Sequence, residues 1–161
     1  MATQLVRTFG ATATITCTLS GLAYTAGRET DVLTLSATAE DYAAIFKFTT
    51  TTGTHSGDAA IYVYACPSPD GTQYPIPAIG SDAAITITTA SNQLKGPILV
   101  IPFGTSVTGL AQQIGVVTSI KAALGELPQK LTFAVQNNCL ALNPAASQSV
   151  QVVPIWNTVT T

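Results

Sequence analysis

Charge is what this chain has least of. Lys, Arg, Asp and Glu make up 9% of its 161 residues, against about 25% in an ordinary soluble domain. The six basic residues, Arg7, Arg28, Lys47, Lys95, Lys121 and Lys130, are scattered, and the net charge is −2. A protein that tracks a row of phosphates needs a basic patch, so the charge distribution argues against a nucleic-acid partner. Histidine and tryptophan occur once each, and cysteine three times. Cys17, Cys66 and Cys139 show no CxxC or Cys/His spacing, and they are expected as small buried apolar residues kept reduced. Long apolar runs are missing too. The most apolar stretch, 96–103, is far shorter than the ~20 residues of a membrane helix, so no membrane partner is expected. The first ten residues lack the apolar core of a secretory signal, which predicts synthesis and folding in a cytoplasm.

What is present is apolar and β-branched. Hydrophobic residues are 47% of the chain and threonine alone supplies 26 positions. Threonine favours strands while its hydroxyl keeps an outer face wet. Period-2 alternation recurs between clusters of Gly, Pro, Asp and Asn. In 12–19, Ile15, Cys17 and Leu19 share one face and Thr14, Thr16 and Thr18 the other. Further strands are predicted at 31–38, 44–50, 59–66, 83–89, 97–103, 130–136, 139–142 and 147–156. Tyr62 and Tyr64 oppose Ile61 and Val63, which predicts a central strand or one with a covered outer face. The polar segment 49–58 reads as a hairpin connection, Asp70-Gly71 as a tight turn and Asn137-Asn138 as another. Val117, Ile120 and Leu124 follow helical spacing, with Thr118 or Ser119 as cap and Gly125 as stop, so one short helix is predicted near 117–124. Eight to ten short strands and one helix predict an all-β antiparallel sandwich, jelly-roll-like, over 12–161, preceded by an N-terminal arm at 1–11.

A search for catalytic and ligand chemistry returns little. His55, Ser56 and Asp58 stand together in a polar loop tip, but a triad needs three groups converging from rigid supports. Glu29 with Asp31, and Glu40 with Asp41, are the carboxylate pairs within reach of one another. A glycosidase would set such a pair across a cleft rich in aromatics, and Glu40-Asp41 reads instead as a solvated turn. One histidine and three dispersed cysteines make no recognisable zinc site, and no phosphate loop or dinucleotide fingerprint is present. The expectation is a protein without catalytic residues, metal or cofactor.

Two stretches together carry a resemblance. The first is Ala60-Ile-Tyr-Val-Tyr-Ala, followed by Asp70-Gly-Thr-Gln-Tyr and Gly80-Ser-Asp-Ala-Ala-Ile-Thr. The second is Gly125-Glu-Leu-Pro-Gln-Lys-Leu-Thr-Phe-Ala-Val-Gln-Asn-Asn, with 140–143 after it. Both resemble small β-rich structural proteins encoded beside the head and tail genes of tailed bacteriophages, over residues 58–143; the first 57 residues lie outside it. The resemblance implies a virion component with no catalytic residues to carry over: a capsid decoration protein, a head fibre or a tail-associated module. The leading expectation is a capsid decoration protein that self-associates and docks on other virion proteins such as the major capsid protein. The alternative is a receptor- or carbohydrate-binding module in which Tyr62, Tyr64 and Tyr74 stack on sugars.

So weakly charged a surface invites association. The chain ends are the expected contributors. Leu5, Val6 and Phe9 fall in the arm, outside the clear strand pattern, and Val153, Ile155 and Trp156 form an apolar stretch near the C-terminus. These six residues are the candidate assembly interface.

Overall fold

A computed structural model describes residues 4–54, 59–75, 77–87, 94, 96–103, 106–107, 111–142 and 148–160. The strands are β1 (Gln4–Phe9), β2 (Ala13–Ile15), β3 (Gly27–Glu29), β4 (Leu33–Thr34), β5 (Asp41–Thr50), β6 (Gly53–Thr54) and β7 (Ala60–Ser68) in the first half. They continue with β8 (Ala84–Ile85), β9 (Leu99–Pro102), β10 (Ser106–Val107), β11 (Ala111–Val117), β12 (Lys130–Asn138) and β13 (Ser149–Thr160). The single helix among the described residues, α1, spans Ile120–Leu124.

Two main antiparallel sheets result. Sheet A has the order β1-β13-β5-β11, with β2 continuing the line of β1 along the same flank of β13. Sheet B has the order β8-β3-β12-β7-β9, with β4 continuing β3 beside β12. Among the described residues, the two-residue strands β6 and β10 pair only with each other. If each interrupted pair is taken as one strand and the two-residue β6, β8 and β10 are left out of the count, sheet A is first, eighth, third, sixth and sheet B is second, seventh, fourth, fifth. That interleaving of two Greek keys is a jelly roll. The predicted all-β sandwich is the fold.

The alternation seen in the sequence builds the core. On β5, Tyr42, Ala44, Phe46 and Phe48 are buried, with Asp41, Ala43, Ile45 and Lys47 on the opposite, half-buried face. From sheet B, Ile61, Val63, Leu131, Phe133 and Val135 meet them. Phe46 and Phe133 pack edge to face across the two sheets with centroids 5.1 Å apart, a favoured aromatic geometry. At one corner β11 must approach β9 closely, and Gly115 permits it. A Cβ there would lie 2.6 Å from Leu99 and Ile101 side-chain carbons.

Several sequence expectations change. The 49–58 segment is not a hairpin connection. Both hydrogen-bonding edges of β5 are taken by β13 and β11, and those of β7 by β12 and β9, so the chain crosses from one sheet to the other. Asn137 and Asn138 do not turn but complete β12, pairing with Ile61 and Ala60. The buried Asn137 amide instead donates to the carbonyls of Leu22, Ala23 and Leu140, tying two loops to the strand end. The strand expected at 139–142 is reduced to one bridge, Thr50 to Leu142. The expected strands at 12–19 and 31–38 shorten to β2 and β4, because their partners run past only those residues. β1, β3 and β11 are absent from the sequence pattern, as are the short β6 and β10. The helix is shorter than 117–124. Val117 ends β11, Ser119 caps the helix by accepting from Ala122 N at 2.9 Å, and Gly125 closes it at φ 91°.

Candidate assembly surface

The outer faces of the two sheets differ. On sheet B the outward residues Cys66, Ala134 and Tyr64 are roofed by the chain itself. The segment 69–87 folds back across them, bringing Tyr74, Ala78, Ile85 and Ile87, with Leu94, into a second apolar cluster. This flap is where the Asp70–Tyr74 and Gly80–Thr86 stretches sit. Asp70 makes the turn: its Oδ1 accepts from the backbone N–H of Thr72 and Gln73, both at 2.9 Å. Those bonds hold its carboxyl down at about pKa 2. Gly80 takes φ +80°, and a Cβ on it would lie 2.5 Å from the Tyr74 ring, so only glycine lets the flap close on that tyrosine.

Two adjacent residues of β3 pin the flap. Glu29 is fully buried, and its carboxylate accepts from Ile79 N at 2.7 Å, Gly80 N at 2.8 Å and Thr132 Oγ1 at 2.7 Å. Arg28 pairs with Asp82 at 2.7 Å, and Thr18 donates to the same carboxylate from its backbone N–H and its hydroxyl. Partial burial works against ionisation of Asp82, yet the Arg28 and Thr18 bonds outweigh it and hold its carboxyl below the usual range. Glu29 and Asp31 therefore do not act as a pair: the first is a buried structural anchor and the second is exposed. Glu40 and Asp41 do stay together at the rim of sheet A. Asp41 accepts from Lys121 N at 2.9 Å and faces Arg7 at 3.9 Å, while Glu40 accepts from the Asn157 amide.

The cysteines are free. Cys66 and Cys139 are buried and Cys17 half-buried; burial is the leading cause that pushes all three thiols up to about 12. His55, Ser56 and Asp58 lie outside the described residues. Among the described residues, no three His, Cys, Asp or Glu side chains gather as metal ligands would. An apolar cleft of about 350 Å³ opens beside the flap, between Pro67, Pro69, Tyr74, Pro75, Ile98 and Leu124. Among the described residues, the polar side chains on its wall are those of Gln73 and Tyr74.

Sheet A carries no such roof among the described residues. Register places Leu5, Arg7 and Phe9 on the same side as Ile155 and Asn157, and this side continues through Val153, Ala43 and Ile45 to Val116 and Ile114. Phe9 is 61% exposed, Ile114 59% and Val116 49%. An apolar band thus crosses all four strands. Among the described residues no further strand pairs with the sheet's edges. β1 and β11 are six and seven residues long, and β11 has no charge or proline, whereas sheet B ends in two-residue β8 and in β9, bounded by Pro102. Long uncharged edges are the kind that pair with other chains.

Of the six residues expected at an interface, the structure sets Leu5, Phe9 and Val153 on this outer face. Residues 4–9 are a strand paired with β13 rather than a free arm. Ile155 also points to this side but is 2% exposed, covered within the chain. Val6 and Trp156 point to the other side, where the indole packs against the core and fills the space beside Gly10. Sequence reasoning missed Ile45, Ile114 and Val116. The signal for the last two was the alternation in Gln112-Gln-Ile-Gly-Val-Val, which carries no charge and flanks the helix. No protein-family model and no curated protein matches the chain.

Proposed function

We propose that the chain is a non-enzymatic structural protein of a bacteriophage virion, a decoration protein that self-associates and docks on the capsid lattice. The observation that carries this reading is the contrast between the two outer faces. A chain that turns residues 69–75 and 77–87 onto one sheet leaves the outer face of the other apolar and, among the described residues, without a roof. In a free monomer such a face is a liability; in an assembled shell it is covered. The carboxylates support the same reading, since Glu29, Asp70 and Asp82 are all taken up in holding the flap. So do the residues resembling phage structural proteins, most of which build the flap and the strands beneath it. Jelly rolls recur in viral capsid domains as well as in lectins, and that likeness is one of architecture only.

The test uses phage heads prepared without the protein. Purified chain is expected to co-sediment with them at saturating stoichiometry, and Ile114→Lys with Val116→Lys is expected to reduce that binding at least tenfold without changing the circular dichroism. Failure to bind any head or virion preparation refutes the proposal. A carbohydrate-binding module would instead give hits on a glycan array, with loss on Tyr74→Ala. The cleft beside Tyr74 has few polar groups with which to read sugar hydroxyls, so no hits are expected.

A further inference from the structure

We infer that the outer face of sheet A is where a second copy of this chain packs, about a two-fold axis crossing β5 opposite Ala44. The inference deepens the assembly reading above by naming the partner of that face. The outward residues of β5 run Asp41, Ala43, Ile45, Lys47, and this order is its own complement when reversed. A two-fold lying in the interface and perpendicular to the strands sets each Lys47 over the partner's Asp41. It also sets each Ala43 against the partner's Ile45, a small residue facing a large one, as interdigitating sheets require. Beside these on the neighbouring strands, Val153 pairs with Ala43, and Val116 and Gln151 flank Ile45, so the ring around the axis is apolar but for one uncharged glutamine. The other way of stacking the strand on itself, with the axis along β5, sets Lys47 on Lys47 and is disfavoured.

The remaining charges fit. At the Asp41 end stand Glu40, Arg7 and Lys121, so two carboxylates and two cations balance there. Lys47 of the second copy meets this neutral cluster with Asp41 directly opposite it and Arg7 and Lys121 alongside.

Sedimentation equilibrium on the full chain from about 1 µM to 1 mM tests this directly. The wild type is expected to dimerise. Ile45→Lys is expected to raise the dissociation constant at least 100-fold, and Lys47→Glu at least tenfold, since the introduced carboxylate would then face the partner's Asp41. Val100→Lys, on exposed β9 of the other sheet, is expected to leave it unchanged. Should Ile45→Lys fail to fold by circular dichroism, Val116→Lys, at an exposed position, takes its place with the same expectation. A wild type that stays monomeric at 1 mM, or a dimer indifferent to these face substitutions, overturns the two-fold. If such a monomer still decorates heads, the docking reading survives without it. A dimer that obeys the substitutions but binds no head leaves the two-fold standing and removes the virion role.

Discussion

Glu29→Gln is the substitution whose consequence can be worked out most fully. The native carboxylate divides its bonds: Oε1 accepts from Gly80 N and Thr132 Oγ1, and Oε2 accepts from Ile79 N. Glutamine keeps the shape. Its carbonyl oxygen can occupy the doubly bonded position and retain the Gly80 and Thr132 bonds, though without the charge that strengthens them. Its NH₂ then points at the Ile79 N–H, donor against donor, in a site closed to water. Losing one charge-assisted bond and leaving a buried donor unpaired costs about 2–3 kcal/mol, with some return because the ion no longer has to be desolvated. A net loss of about 2 kcal/mol corresponds to a fall in melting temperature of roughly 4–8 °C for a chain of this length. Urea unfolding should show the same loss with an unchanged slope. Because the bonds pin the flap, its local opening should become easier along with global unfolding. Cys66 lies beneath the flap, so its maleimide labelling should accelerate at least tenfold under native conditions, the rate ratio of about 1.4 kcal/mol. A variant within about 0.5 kcal/mol of the wild type, the range of ordinary surface changes, with Cys66 labelling unchanged, would show that the Glu29 bonds do not hold the flap.

Gly80→Ala should cost at least about 2 kcal/mol in urea unfolding, because alanine at φ +80° is strained and its methyl displaces the Tyr74 ring. Thiol titration should find Cys17, Cys66 and Cys139 unreactive at pH 8 when folded and fully reactive in denaturant, with no disulfide by mass spectrometry. Their raised pKa values mean that stability is intact below pH 9 and declines between pH 9 and 12, where the unfolded chain ionises first. Asp82 has the opposite sign: its lowered pKa supports the fold above about pH 4, and that support is lost as pH falls through the folded value, an effect Asp82→Asn should abolish in acid titrations. Head binding should change less than threefold between about 0.05 and 0.5 M salt, since apolar area rather than exposed ion pairs would hold the protein.

The strands that bury one face were legible because burial writes itself into the sequence with period two. The alternations through Ile15, Phe46 and Phe48, and Ile61 and Val63, and the Ser119–Gly125 caps, reappear in the structure with small shifts of boundary. β1 and β11 were not legible for a physical reason. They are edge strands: β1 is exposed throughout, and over 112–117 β11 buries Gly115 and Val117 while its outward Ile114 and Val116 are apolar too, so neither strand shows a contrast between alternate residues. β3 was missed because its sequence, Gly-Arg-Glu, looks like a turn. Glu29 is tolerated inside because three donors arriving from residues 50 to 103 positions away satisfy it, and no local pattern announces such partners.

Local periodicity and turn chemistry were enough to set an all-β sandwich with one short helix, because both act between residues a few positions apart. Which sheet ends up covered is a matter of tertiary contacts. Roofing one face depends on where the flap lands, and that is set by Glu29, Arg28, Tyr74 and Gly80 meeting across long separations. The same folding leaves the face of β13, β5 and β11 without a cover among the described residues, and it places Phe9, Ile45 and Val116, from opposite halves of the chain, in one apolar band.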